Sequence, residues 1–338
     1  MSLGCRASER GLKPMPTSTM VEVLTPIWQR VLRLSSVGID DNFFDCGGDS
    51  ALALELFHEI AIACGRELPP VMIYHAPTIA ALAAVLEEPA TPRVPPLVQL
   101  KAGSAGPAIF IAHGLGGSAM DFFQIVKQIQ TPRAIHGIQA KGIDGIEEPL
   151  DRIEDMARYS LDAVRELQPH GPYLLVGFSL GGLVVLEMAQ QLIADGEKVG
   201  LLAMLDSYPH VSRLSRGQRW SLATRQTWRR AARRLQWLGV SPPYETTVEV
   251  SPSPALQHFR ETSYVALERY RPRYYAGKIS FVRAAIPTDF PANPAAVWSH
   301  LAREFEVTTV PGDHLGMMTT HFESLARTIS DVIRATRE

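Results

Sequence analysis

The sequence predicts two unlike domains: a small all-α four-helix bundle, then an α/β domain whose mostly parallel sheet is interrupted by a helical insertion. Three observations lead there. Apolar residues recur at helical spacing through residues 18–88. A proline-rich stretch follows. Beyond it, short apolar runs alternate with helical ones, the pattern of parallel strands covered by helices.

Residues 1–17 carry Gly, Pro and Ser without periodicity and read as a flexible N-terminal segment. From Thr19 the bundle begins, with Val21, Leu24, Ile27 (or Trp28) and Val31 on one face and Ser18 or Thr19 as candidate caps. Residues 34–49 form a loop ending in Cys46-Gly47-Gly48-Asp49-Ser50. A second helix carries Ala51, Leu52, Leu56, Phe57 and Ile60. Pro69-Pro70 ends that region, and a last helix runs from Thr78 to about Leu86. Residues 89–106 read as a linker, since five prolines fall between 87 and 107. Leu97–Leu100 within it has the character of an edge strand.

The second domain spans 107–338. Its expected strands are Ala108–Ala112, Ala134–Ile138, Tyr173–Val176, Val199–Leu205, Lys278–Arg283 and Phe305–Val310. Its expected helices are Met120–Gln130, Ile153–Leu167, Leu180–Ile193 and one from about Thr319 to the end. The insertion covers about 209–270.

Composition excludes several classes. The chain has 338 residues, 46% hydrophobic and 20% charged, so it can bury a sizeable core. No run of 18 apolar residues exists, so no membrane span is expected, and the first twenty residues lack a secretory pattern. Cys5, Cys46 and Cys64 cannot all pair and show no metal spacing, which points to a reduced, cytoplasmic setting with no metal site. Residues 1–92 hold 6 Lys+Arg and 11 Asp+Glu, a net of −5; the rest of the chain nets +3. Nucleic acid is not an expected partner.

Gly177-Phe178-Ser179-Leu180-Gly181-Gly182 follows a strand and opens a helix. That is the G-x-S-x-G turn of α/β-hydrolases in its meaningful context. A serine there stands above the sheet edge at a helix N-terminus, where the Leu180 N–H and the helix dipole favour a developing oxyanion. A serine hydroxyl needs a base. His314, in Pro311-Gly312-Asp313-His314 after a late strand, stands where the base belongs. Two acids are candidates: Asp206, ending the strand after the nucleophile helix, and Asp289, in the loop after the next strand. Position in the chain does not choose between them. Of the ten histidines, His113, His136 and His314 are the ones read as directly following strands. The His113-Gly114-Leu115-Gly116-Gly117 loop offers the Leu115 N–H as second oxyanion donor, with His113 structural. Ser50 opens a helix after two glycines, which keep its approach open. A phosphodiester is favoured at such a position, though an N-cap role is the plainer alternative.

Together these residues resemble the terminal carrier protein–thioesterase pair of nonribosomal peptide synthetases, from about residue 19 to the end. The carrier part is similar to the family at Asp41-Asn42-Phe43-Phe44-Asp45-Cys46-Gly47-Gly48-Asp49-Ser50. The resemblance implies a 4′-phosphopantetheine arm on Ser50, attached by a phosphopantetheinyl transferase and holding an acyl or peptidyl thioester. Leu205-Asp206-Ser207 is similar to the family's acid position, which favours Asp206. Gly312-Asp313-His314 with Met317-Met318 matches the base loop. Gly114 departs from the family, which often has proline there. The chain starts at Met1 without adenylation or condensation domains, so upstream domains or separate enzymes are implied partners.

The insertion corresponds to a mobile helical lid in the family. It holds eight arginines between Arg213 and Arg234, and Trp228, Ala231 (or Ala232), Leu235 and Leu238 share a helical face, a basic amphipathic pattern. The expected mechanism transfers the chain from the Ser50 arm to Ser179, then releases it by hydrolysis or cyclisation. Rival readings are an editing thioesterase that clears misloaded carriers, a non-catalytic docking module and a simple esterase.

Overall fold

The computed structural model describes residues 17–88, 93–220, 222–224, 253–287 and 290–336. Contacts divide the chain into two units, Met1–Arg93 and Val94–Glu338.

In the first unit α1 spans Thr17–Leu32, α2 Ser50–Cys64, α3 Met72–His75 and α4 Ile79–Glu87. Helix α1 starts two residues before the expected Thr19, so Ser18 and Thr19 lie inside it rather than capping it. Its face of Met20, Leu24, Ile27, Trp28 and Val31 is buried. Asp49 caps α2 by accepting from Leu52 N at 2.9 Å. Gly65 ends α2 in the left-handed region at φ 66°. Thr78 caps α4 through Ala81 N. The fourth element of the bundle, α3, is a single turn after Pro69-Pro70. Its Met72 and Ile73 reach the core, which explains why so short a helix persists.

The second unit holds a seven-stranded sheet in the order β1-β3-β2-β4-β5-β6-β7. The strands are β1 Leu97–Lys101, β2 Ile109–Ala112, β3 Ile135–Ile138, β4 Tyr173–Phe178, β5 Val199–Leu205, β6 Tyr275–Ala284 and β7 Ala302–Val310. Strand β1 is the edge strand expected within the proline-rich stretch, and it pairs antiparallel with β3; the other pairings are parallel. His136 lies inside β3 rather than after it. Helices follow as α5 Phe123–Gln128, α6 Ile153–Leu167, α7 Leu180–Ala194, α8 Pro254–Arg269, α9 Ala295–Trp298 and α10 Phe322–Ala335. A single 3-10 turn, Ala119–Phe122, precedes α5.

Alternation along the strands sorts side chains into two layers. Phe110, Ala112, Tyr173 and Leu175 face a core shared with α6, α7 and α8. Ile109, Ile111, Leu174, Val176 and Phe178 face a second core against α5 and α10. From β2 the chain moves outward to β3, then returns to place β4 on the other side of β2. The loops leaving β2 and β4 are therefore neighbours at the carboxyl edge of the sheet, where such folds open a crevice. None of the described helices is long and apolar enough to cross a membrane.

Candidate active site

Strand β4 and helix α7 meet at Ser179, whose backbone is held at φ 54°, ψ −118°. A non-glycine residue at positive φ is strained, by about 1–3 kcal/mol. Three hydrogen bonds hold it. Ser179 N donates to Leu205 O at 2.9 Å, and Ser179 O accepts from Ser207 Oγ at 2.6 Å and from Gly182 N at 3.1 Å. The flanking glycines are required by space. A Cβ on Gly177 would stand 2.3 Å from Gly181 O, and one on Gly181 would stand 2.3 Å from His113 O. Strand, helix and the end of β2 thus close on the turn, and the serine projects from it.

Asp206 follows β5 at φ 44°, with its N–H donating to Val282 O at 2.7 Å. The residue is buried, at 5% exposure. Oδ1 accepts from Ala284 N at 3.2 Å, and Oδ2 lies 2.8 Å from His314 Nδ1. His314 Nε2 lies 3.1 Å from Ser179 Oγ. A proton on Nδ1, donated to the carboxylate, leaves Nε2 free to accept from the serine hydroxyl. The base loop after β7 is shaped by Gly312 at φ 90° and by Asp313, whose Oδ1 accepts from Gly316 N at 2.8 Å. The imidazole is gripped by two aromatic rings: Phe178 stacks on it at 4.6 Å, and Phe290 approaches at 4.7 Å. Ser179, Asp206 and His314, read separately from the sequence, come together at the ends of three strands. Asp289 lies outside the described residues, as do Trp228, Ala231, Ala232, Leu235 and Leu238 of the arginine-rich stretch.

Leu180 is the first residue of α7, so its N–H has no intrahelical acceptor. The loop after β2 lies against the serine: a Cβ on Gly114 would stand 3.3 Å from Ser179 Cβ and 2.9 Å from the Phe178 ring. Phe178 therefore fills the space a larger residue at 114 would need, which accounts for glycine in place of proline. Leu115 follows directly in the same loop. His113 is buried, with Nδ1 2.7 Å from Gly114 O and its ring edge-on to Phe259. Desolvation lowers its pKa to about 4, partly opposed by the bond to Gly114 O, so the ring is neutral and structural. A small cavity of about 20 Å³ lies nearby, lined in part by Ile138, Gln139, Met156, Val184 and Phe259.

Ser207 is a residue whose role the sequence reading missed. It is fully buried, ties the Ser179 carbonyl, and accepts Trp298 Nε1 on its own carbonyl at 3.0 Å. The signal available was its place directly after the acid.

In the first unit Ser50 is the first residue of α2 and Asp49 is the cap, so the plainer N-cap alternative falls to Asp49. Phe43 is fully buried and packs edge-on to Trp28 at 5.3 Å. A Cβ on Gly48 would stand 2.3 Å from the Phe43 ring. Gly48 therefore serves packing rather than open approach. Gly47, at φ 92°, has no neighbour within 4 Å of a Cβ and is the residue that leaves the surface open. An open glycine, a capped helix start and the first-turn N–H groups suit a phosphodiester.

Comparison with known proteins fits both units. Residues 107–333 match the family model of the thioesterase domain, and residues 22–86 match that of the phosphopantetheine attachment site. The chain is 41% identical over 196 residues to the dimodular nonribosomal peptide synthase of Bacillus subtilis (strain 168), covering 58% of this chain and 8% of that protein. It thus spans a small part of the length of the curated relatives it matches. A solved four-domain nonribosomal peptide synthetase, holo-AB3403 bound to AMP and glycine, covers 98% of this chain and 27% of its own at TM-score 0.57 and 22% identity, a likeness of fold. The NocB thioesterase domain, solved as a covalent complex with a fluorophosphonate nocardicin G analog, covers 68% of this chain and 96% of its own at TM-score 0.51 and 26% identity. The chain belongs to the thioesterase domain family, and a phosphopantetheine attachment domain of the nonribosomal peptide synthetase kind precedes its thioesterase.

Proposed function

We propose that this chain is a terminal carrier and serine-type thioesterase, which takes an acyl or peptidyl chain presented at Ser50 and releases it through Ser179. The observation that carries the reading is the relay of Asp206 Oδ2, His314 and Ser179 Oγ at 2.8 and 3.1 Å.

Ser50 would hold the 4′-phosphopantetheine group by a phosphodiester, put there by a phosphopantetheinyl transferase. When attached, the group supplies a thiol that carries the chain as a thioester. Upstream synthetase domains would supply that chain. At the second unit, Ser179 Oγ attacks the thioester carbonyl while His314 Nε2 takes the hydroxyl proton. Asp206 keeps the imidazole in the required tautomer and stabilises the imidazolium. The Leu115 and Leu180 N–H groups receive the oxyanion, and removing either donor costs about 2.7–4 kcal/mol. His314 returns the proton to the departing thiolate, and the product chain is left as an ester on Ser179. Water, activated by the same histidine, then gives the free acid; an internal hydroxyl or amine gives a ring. The covalent fluorophosphonate complex of the NocB domain supports a serine nucleophile here, because such reagents phosphonylate activated serines.

The test is intact and peptide mass spectrometry after incubation with a promiscuous phosphopantetheinyl transferase and an acyl-coenzyme A. Acyl-pantetheine on the Ser50 peptide, followed by acyl on the Ser179 peptide, is the expected sequence. Loading that never occurs on Ser50, with Ser179 still reacting with small esters, would leave a lone hydrolase beside a helical unit.

A further inference from the structure

Helix α8 belongs to the insertion between β5 and β6, yet two of its consecutive residues hold the loop after β2. Phe259 is buried, packs edge-on to His113 at 5.7 Å, and would stand 3.1 Å from a Cβ on Gly117. Arg260 Nε donates to Leu115 O at 3.2 Å. Asp121 covers the same loop from below, its Oδ2 2.3 Å from where a Cβ on Gly116 would stand. Asp121 is exposed as a residue, yet desolvation of its carboxyl where it packs on the loop, partly opposed by the Arg260 charge, raises it to about 6.

The far end of α8 is fixed to the nucleophile helix. Tyr270 OH and Arg273 both donate to Glu187 of α7, at 3.0 and 3.1 Å, and that glutamate is buried. One segment thus joins the two elements that carry the candidate oxyanion donors, α7 with Leu180 and the loop with Leu115.

We infer that Arg260 is a positioning residue for the oxyanion hole. This rests on the serine thioesterase reading above. The guanidinium fixes the carbonyl that follows Leu115. With that carbonyl held, Leu115 is anchored on one side of its Cα, which restricts the motions of the loop that would carry its N–H. The hole is then set before the transition state forms, rather than during it. Arg260 need not touch the oxyanion to act in this way.

The experiment compares wild type, Arg260→Ala, Arg260→Lys and Arg260→Gln in the full chain. The readouts are steady-state turnover of a small acyl-N-acetylcysteamine thioester, the rate of fluorophosphonate labelling at Ser179, and the melting temperature. Arg260→Ala should lower kcat by about 10- to 100-fold, less than outright loss of a donor, with KM changed by less than about twofold. Labelling should slow in parallel. Arg260→Lys and Arg260→Gln, which keep an N–H donor, should recover part of kcat at the wild-type melting temperature. The inference is overturned if Arg260→Ala keeps the wild-type kcat or changes KM alone. It is also overturned if kcat in all three variants merely follows the melting temperature. Wild-type labelling is the separate control: absent at Ser179, it removes the serine reading itself, whatever Arg260 does.

Discussion

Two serines stand at helix starts after glycine-bearing loops, and their surroundings differ in kind. Ser50 opens α2 behind a conventional cap, Asp49, in extended backbone at φ −138°. Ser179 precedes α7 and is itself the strained residue, at φ 54°. Around Ser50 one glycine supplies the backbone angle and the other supplies space. Around Ser179 both flanking glycines supply space, and hydrogen bonds to Leu205 and Ser207 hold the strain. An acceptor of a covalent group needs access and a favourable helix end. A nucleophile needs a base at hydrogen-bond distance and a backbone that cannot relax. The two sites meet those needs with the same residue type.

The largest expected effect breaks the comparison in one step. Ser179→Ala or His314→Ala should lower thioester turnover by about 10⁴- to 10⁶-fold, and Asp206→Asn by about 10⁴-fold. Ser50→Ala should abolish loading by a phosphopantetheinyl transferase, yet leave turnover of a free small thioester within about twofold of wild type, since a free substrate needs only the relay at Ser179. The measurement is paired: kcat on the small thioester, and mass of the Ser50 peptide. If Ser50→Ala lost turnover of the free substrate as well, the division of labour between the serines would fail.

The glycines sharpen it next. A Cβ on Gly181 meets backbone carbonyls of Ala112 and His113 at 2.5 and 2.3 Å, and neither can move without moving β2. A Cβ on Gly48 meets the Phe43 ring at 2.3 Å and Phe43 O at 2.6 Å. Gly48→Ala should cost about 1–3 kcal/mol, as overpacking does, and Gly181→Ala more. Gly47→Ala has room but the wrong angle, and should cost about 1–2 kcal/mol. Denaturant unfolding of each unit checks the order. A Gly48→Ala variant as stable as wild type, or a Gly47→Ala loss well above about 2 kcal/mol, would contradict the assignment of angle to one and space to the other.

What was legible follows from how residues are constrained. The central strands were read nearly to the residue because both faces are covered and their apolar runs are unbroken. Strand β7 was read from Phe305, although it starts at Ala302. It is the edge strand opposite β1, and its exposed Arg303 and Glu304 hide the strand behind charge. Strand β6 starts at Tyr275 rather than Lys278, because Gly277 and a register shift interrupt the pattern there. The last helix starts at Phe322, since Leu315 to His321 form turns that hold Met317 and Met318 in the core. Ser179 and His314 were legible from local motifs. Position alone left Asp206 level with Asp289, and the resemblance at Leu205-Asp206-Ser207 favoured it; the positive φ and the bond across 108 positions that set its carboxylate on His314 had no local signal. Phe290 and Arg260 carried no local signal, since each acts on a partner distant in sequence.

A smaller effect comes from acid. His113 is neutral and buried, with its pKa near 4 against 6.5 for the free side chain. Below pH 6.5 the unfolded chain takes a proton that the folded one refuses, so stability falls as pH drops toward 4 and is unaffected above. Between pH 7.5 and 5.5 this histidine should cost the thioesterase unit about 1.4 kcal/mol. His113→Gln should flatten that part of the profile. The first unit holds no such buried neutral histidine among its described residues, so its acid response should differ. An unchanged profile in His113→Gln would place the acid sensitivity elsewhere.

The smallest effect tests what holds the strained serine. Ser207 is fully buried and donates to Ser179 O at 2.6 Å, while Gly182 N donates to the same carbonyl at 3.1 Å. Ser207→Ala removes the shorter bond and keeps the other, so the carbonyl is not left bare. The net loss should be about 0.5–1.5 kcal/mol of stability. If the bond also holds the angle of Ser179, kcat should fall as well, by less than about tenfold. The companion change in the first unit, Asp49→Ala, removes a cap worth about 1 kcal/mol. It should leave turnover of a free thioester unchanged, since its helix end carries no base. Melting curves and kcat for the two variants separate the cases. Equal stability losses with a fall in kcat only for Ser207→Ala would mean that the Ser207 bond holds the geometry of the Ser179 turn on which turnover depends. A Ser207→Ala variant that is less stable but fully active would mean that Leu205 and Gly182 hold the nucleophile without it.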